Sequence, residues 1–413
     1  MLQGRPVAVT GGGDTTVRVW DLASGRQIGQ PLTGHSYGVR AVACTTVEGR
    51  PVAVTGGGDT TVRVWDLAST QQVGQPVTGH GDPVNAVACT TVEGRPVAVT
   101  GGGAQARIWD LTTGQLVGQP LTGHSYGVRA VACTTVEGRP VAVTGGGATV
   151  RVWDLASGRQ IGQPLTGHTR TVEAVACTMV KGRPVAVTGG ADGTVRVWDL
   201  ATGAQMGDPL TGHTRTVEAL ACTTVKGRPI AVTGGGDTTV RVWDLASGRQ
   251  IGQPLTGHSY GVRAVACTML EGRPVAVTGG ADGTARVWDL ATGAQMGDPL
   301  TGHTRTVEAL ACTMLEGRPI AVTGGGATVR VWDLRSHQLD HVLNLPNACR
   351  GIAWMGSAAW SASSATTSPS SNDRSGQVQA CRPPNLRPDW KHVEAPPAAG
   401  FACSAAFRPV GIV

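Results

Sequence analysis

A Trp-Asp pair returns eight times along this chain, at Trp20, Trp65, Trp109, Trp153, Trp198, Trp243, Trp288 and Trp332, with successive spacings of 44 or 45 residues. Self-similarity at a fixed period of this length means one supersecondary unit stacked on copies of itself, because a single unit cannot bury its own apolar face. A Gly-His pair precedes each of the last seven, at His35, His80, His124, His168, His213, His258 and His303. Whatever the fold, the same solution must work about eight times over.

Inside one period four β-branched runs stand out: "VRAVAC", "RPVAVT", "TVRVWDL" and "QIGQPLT". They are separated by the polar break "TTVEG", a glycine turn and the break "ASGR". Short runs bounded by turn residues read as strands, and no helical apolar period competes. Pro31, Pro76, Pro120, Pro164, Pro209, Pro254 and Pro299 all fall in the run before Gly-His. Proline cannot donate to a ladder, so this run is an edge strand, spoiled for further pairing. Small antiparallel sheets set radially, each with one short protected edge, satisfy the pattern.

The joint Gly-His and Trp-Asp signature resembles the WD-repeat β-propellers over about residues 1–345. The resemblance implies an all-β fold of four-stranded blades, with the first strand of each lining a central channel and the fourth lying outside. The near-identity of the copies is similar to bacterial WD-repeat proteins, which often form the C-terminal part of larger regulatory proteins. Eight blades are expected, with seven as the alternative. The propeller is assigned to residues 1–360, and the low-complexity stretch "SASSATTSPSSNDRSGQ" opens a tail, 361–413, expected to be disordered.

The start "MLQGRP" aligns with "MLEGRP" at Met269–Pro274, so the chain begins at the second strand of a blade. The native gene product is expected to begin upstream. An open ring would leave an apolar face and an unpaired edge exposed. "CRGIAW" offers a repair: Arg350 falls where Arg40 does, Ile352 where Val42 does, and Trp354 where Cys44 does. Residues 349–354 are therefore expected to form the innermost strand of the first blade, beside residues 5–10.

Composition narrows the function classes. Net charge is +6 and lysine appears only at Lys181, Lys226 and Lys391. No window approaches 18 apolar residues and no signal peptide opens the chain, so a cytoplasmic protein with no membrane span is expected. Seven cysteines recur once per repeat, Cys44, Cys89, Cys133, Cys177, Cys222, Cys267 and Cys312, without the close spacing of a zinc site. They read as small buried apolar residues. "TGGGDTT" lacks the lysine of a phosphate loop and reads as a turn. No metal and no cofactor is expected. Arginines of the "EGRP" turns, Arg50, Arg95, Arg139, Arg183, Arg228, Arg273 and Arg318, would ring one face, but Glu48 and Glu93 sit two positions away, so nucleic acid is not the expected partner.

Each copy also carries a threonine, usually an aspartate, and a histidine, the parts of a nucleophilic triad. The resemblance implies instead a structural tetrad with the Trp-Asp tryptophan. Four sets are complete: His35, Thr55, Asp59 and Trp65; His168, Thr188, Asp192 and Trp198; His213, Thr233, Asp237 and Trp243; His258, Thr278, Asp282 and Trp288. A hydrogen-bonded chain satisfies indole, hydroxyl and imidazole together when all are buried, and an enzyme has no need of several copies. No catalytic residue is assigned. The turns before Trp109, Trp153 and Trp332 lack the aspartate and one residue of length, so weaker tetrads are expected there.

Recognition is sought where the repeats differ. After Gly-His, "HSYGVRA" places Tyr37, Tyr126 and Tyr260 with Arg40, Arg129 and Arg263; "HTRTVEA" places Arg170, Arg215 and Arg305; "HGDPVNA" occurs once. The resemblance puts this loop on the top face, near the channel mouth, where the family commonly binds peptides and proteins. Tyrosine and arginine are the commonest interface anchors. The expected function is a non-catalytic scaffold, or a sensory or targeting module, binding a protein or peptide of unknown identity. The chain would act as a monomer or as part of a larger chain. The alternatives are a purely structural assembly role and an enzyme or small-molecule site in the channel, the latter using Arg40, Arg129, Arg263, Glu173, Glu218 and Glu308.

Overall fold

The computed structural model describes residue 2 and residues 5–355. It contains eight antiparallel sheets, one per Trp-Asp pair. The second blade shows the plan: Val39–Val47 inside, then Arg50–Gly57, Val62–Asp66 and Gln71–Val77 outside. The inner strands are longer than the sequence suggests. "TTV" continues the ladder, with Thr45 opposite Val52 and Val47 opposite Arg50, so the break contracts to Glu48 and Gly49. Both have positive φ, 49° and 74°, as a two-residue hairpin turn matching strand twist requires.

The first blade has the order Arg26–Leu32, Val17–Asp21, Val7–Gly12, Cys349–Met355. The C-terminal strand of the described chain pairs antiparallel with its first, Val9 opposite Ala353 and Ala8 opposite Trp354. The inner-strand alignment of Arg350 and Ile352 with Arg40 and Val42 is thus met by strand pairing. The tail 361–413 and the limit at 360 lie outside the described residues.

Apolar packing lies between blades rather than within them. Val47, Val52, Val54 and Val62 of the second blade meet Ala98, Trp109 and Leu111 of the third. The same kind of layer fills the junction of the eighth and first blades, where Ile320, Val331 and Leu343 meet Trp20, Leu22 and Ile352. Eight such layers exist, one per junction. The glycine pair after each threonine serves this packing. A Cβ on Gly56 would strike Val84 of the next blade, and one on Gly57 would strike Asp59 and His35.

The outer strands are uneven. They span seven residues in Arg26–Leu32 but only two in Leu121–Thr122 and Arg249–Gln250. The fifth blade has three continuous strands, and its outer segment is held by the bridges Val195–Leu210 and Trp198–Gln205. The proline of that run removes a donor at the edge, so pairing there is marginal. No helix long and apolar enough to cross a membrane occurs among the described residues.

Candidate functional site

In the four complete sets the threonine, histidine and aspartate come together beneath the loop after Gly-His. In the second blade the Trp65 indole N–H donates to Thr55 Oγ1 at 2.8 Å, and Thr55 Oγ1 lies 2.9 Å from His35 Nε2. His35 Nδ1 lies 3.0 Å from Asp59. The carboxylate also accepts the Ser36 amide at 2.9 Å and the Thr61 hydroxyl at 2.9 Å. His168 with Asp192, His213 with Asp237, and His258 with Asp282 repeat the arrangement. Every link is used: a carboxylate accepting from Nδ1 leaves Nε2 to accept the hydroxyl proton.

Accessibility decides between triad and scaffold. Thr55, Thr188, Thr233 and Thr278 are each 0% exposed, and each hydroxyl already accepts an indole N–H. A nucleophile must reach its substrate; these cannot. Burial holds the His35, His168 and His258 imidazoles below their ordinary pKa in spite of the adjacent carboxylates. Burial alone would raise the Asp59 carboxyl, but the Ser36 amide and His35 pull it below its usual range.

The blades without the aspartate are not open. His124 Nδ1 lies 3.0 Å from the Gly146 carbonyl and 3.2 Å from Thr149 Oγ1, and His303 uses Gly325 and Thr328 in the same way. His80 Nδ1 is 3.3 Å from the Gly102 carbonyl. The shorter turn brings a backbone acceptor to where the carboxylate would stand, a substitution that sequence patterning does not reveal. The Trp-to-Thr link persists at 2.7 Å for Trp109 and 2.8 Å for Trp153 and Trp332. The expected weakness is therefore confined to the histidine end of the chain.

These three histidines carry a pH dependence. Burial lowers His80, His124 and His303 to about 4. Their unfolded value stays near 6.5, so between pH 6.5 and 4 the unfolded chain binds more protons. Stability present above pH 6.5 is lost on acidification through that window, by roughly 3 kcal/mol per histidine. Melting temperature should fall steadily from pH 6.5 to 4; a flat profile would contradict these buried neutral imidazoles.

The Trp-Asp aspartate has a separate task. Asp66 Oδ1 accepts the Ala68 and Ser69 amides at 2.8 and 3.0 Å, closing the turn to the outer strand. Aspartates at this position also meet the arginines of the opposite face: Arg183 reaches Asp199 at 3.3 Å and Arg318 reaches Asp333 at 2.9 Å. Arg50 and Arg95 take Glu48 and Glu93 at 3.3 and 3.5 Å. The arginine ring is thus broken up by local carboxylates. The seven repeat cysteines are half-buried rather than fully buried, on the inner strands and packed against the margins of the layers between blades. Their surroundings still push the Cys89 and Cys177 thiols up to about 12.

Above the buried tetrads lie the residues that differ. Tyr37, Tyr126 and Tyr260 are 68%, 71% and 64% exposed. Arg170 and Arg215, from adjacent blades, line one open groove of about 410 Å³ with Thr169, Thr214 and Asp192. Arg305 belongs to the eighth blade, apart from that pair, and stands against Gly326 of its own turn.

Every inner strand is also bulged at one place, a feature without a sequence signal of its own. The register slips between Val39 and Ala41, leaving Arg40 outside the ladder; Asn85 and Arg129 are left out in the same way. Arg350 takes this position in the closing strand. Glu173, Glu218, Arg263 and Glu308 complete the series in the remaining blades. A bulge re-aims the extra side chain, and seven of these eight are seen to interact across blades. Arg263 reaches Glu218 at 2.8 Å, Arg40 donates to Asn85 at 3.1 Å, and Glu308 feels the charges of Arg350 and Arg263. Glu173 and Glu218 are buried, at 4% and 6% exposure.

The family profile described as WD domain, G-beta repeat matches residues 25–66, 114–154, 158–199, 206–244 and 248–289. No curated protein matches the chain.

Proposed function

Because the chain belongs to the WD-repeat family, whose propellers commonly serve as interaction scaffolds, we propose that it is a non-catalytic module binding a protein or peptide on its top face. The observation that carries this reading is the contrast within each repeat. The hydroxyl, imidazole and carboxylate are buried and mutually bonded, while Tyr37, Tyr126 and Tyr260 stand mostly in solvent one turn away. Large aromatic side chains left exposed on a rigid support are affinity anchors at low entropy cost.

Replacing Tyr37, Tyr126 and Tyr260 together by alanine removes no buried contact, so the melting temperature should stay within a few degrees of the parent. Cross-linked partners recovered with the parent chain should be lost. An unchanged partner set with intact folding would overturn the reading. A second reading, a small-molecule site in the channel, draws on buried Glu173 and Glu218, but Arg263 neutralises the latter at 2.8 Å. A ligand-dependent rise in melting temperature across a metabolite panel would favour it.

A further inference from the structure

The charges on the eight bulges are not mixed evenly around the ring. Arg350, Arg40, Asn85 and Arg129 come from the first four blades in order, whereas three of the last four positions are Glu173, Glu218 and Glu308. We propose that the basic arc, centred on Arg40 with Asn85, Arg129 and Arg350, is an oxyanion site at the channel mouth that receives carboxylates of an acidic partner peptide. The identity of the occupant as a peptide rests on the function proposed above; the anion preference rests on the arc itself.

Geometry and chemistry converge on Arg40. It is half-buried, its guanidinium donates to the Asn85 side-chain oxygen at 3.1 Å, and that neutral amide fixes its orientation without cancelling its charge. Burial first, and then the charges of Arg350 and Arg129, hold the guanidinium below its ordinary pKa. Like charges brought together on bulges are a cost to the empty protein that a bound anion would relieve. Glu308 flanks Arg350 at one end of the arc and Glu173 occupies the bulge next to Arg129 at the other, which leaves Arg40, between Arg350 and Arg129, as the centre of positive charge. Guanidinium forks match carboxylates in two-point contacts. The loops that lead into the Arg40 and Arg129 bulges carry Tyr37 and Tyr126, and Tyr37 and Arg40 both lie against Gly58. An aromatic side chain therefore rises from the same spot as the Arg40 guanidinium.

The test uses the full chain, fluorescein-labelled hexaglutamate, hexalysine of equal length and inorganic phosphate. Hexaglutamate should bind with an affinity that falls as salt is added, and Arg40→Gln/Arg129→Gln should weaken it at least tenfold. The unliganded double variant should melt no lower than the parent, since it loses repulsion; a packing role for these side chains would lower it. Equal hexaglutamate binding by parent and variant, or tighter binding of hexalysine, overturns the site while leaving the tyrosine test of the scaffold reading standing. Arginine-dependent stabilisation by phosphate without hexaglutamate binding supports the oxyanion site and counts against a peptide partner. If neither anion responds to the two arginines, the site is refuted.

Discussion

Deleting residues 346–413 should abolish or nearly abolish cooperative folding, whereas deleting 361–413 should leave the melting temperature close to that of the parent. The shorter chain loses the strand Cys349–Met355, in which Cys349, Ile352 and Met355 are buried at 1%, 2% and 6% exposure. Those side chains contribute to the apolar layers on both sides of the first blade. At about 1.5–3 kcal/mol for each buried side chain, their loss alone approaches 5 kcal/mol or more. Val7–Gly12 would then become an unpaired inner edge. That sum is comparable with the whole net stability of an ordinary domain. Calorimetry on the two truncations checks it. Equal melting temperatures for the 346–413 deletion and the parent would show that the ring does not depend on this strand.

Trp198→Ala should cost about 3–5 kcal/mol, the usual price of emptying a large aromatic site, with additional loss from leaving the buried Thr188 hydroxyl without its indole donor. Trp198 is 2% exposed and donates to Thr188 at 2.9 Å. From sequence, Trp153→Ala is expected to cost less, because its repeat lacks the aspartate. The geometry moves that difference. Trp153 is 3% exposed and donates to Thr144 at 2.8 Å, so the two tryptophan variants should fall within about 1 kcal/mol of each other. The distinction between repeats should appear instead at the carboxylate. Asp192 accepts from His168, from the Thr169 and Thr194 amides and from the Thr194 hydroxyl. Asp192→Ala should therefore cost about 2–4 kcal/mol, since hydrogen bonds to charged groups are worth more and four donors lose their acceptor. Chemical denaturation of the three variants checks this. An Asp192→Ala chain as stable as the parent would remove the carboxylate from the structural account.

The repeat period, the four-run pattern and the edge prolines made the blade plan legible in the sequence, because each follows from local chemistry repeated many times. The alignment of Arg350 and Ile352 with Arg40 and Val42 made the closing strand legible too. What stayed hidden depends on register and on marginal pairing. The segment "SGRQIGQPLTGH" occurs with the same residues in the first, fourth and sixth repeats. It forms seven-residue strands at Arg26–Leu32 and Gln160–Thr166 but only Arg249–Gln250 in the sixth. Identical residues that pair differently show that the outer edge is decided by small differences in approach. The bulges at Arg40 and its counterparts were hidden because a bulge is a relation between two strands. From the sequence, Arg40 belongs equally to the top-face cassette of Tyr37 and to the start of the inner run. The carbonyls of Gly102, Gly146 and Gly325 were hidden for a similar reason, since a backbone acceptor has no letter.

The placement of Arg350 beside Arg40, and with it the basic arc and the eight-bladed ring, depends on pairing between Val7–Gly12 and Cys349–Met355. Hydrogen exchange on the full chain measures that pairing directly. If the ring closes this way, amides in both segments exchange as slowly as those of the inner strand Val172–Val180 in the fifth blade. They become fast together when Ile352→Asp places a charge in the layer against Ile320 and Leu343. Rapid exchange of Val7–Gly12 and Cys349–Met355 in the unaltered chain, with Val172–Val180 protected, would contradict the closed ring.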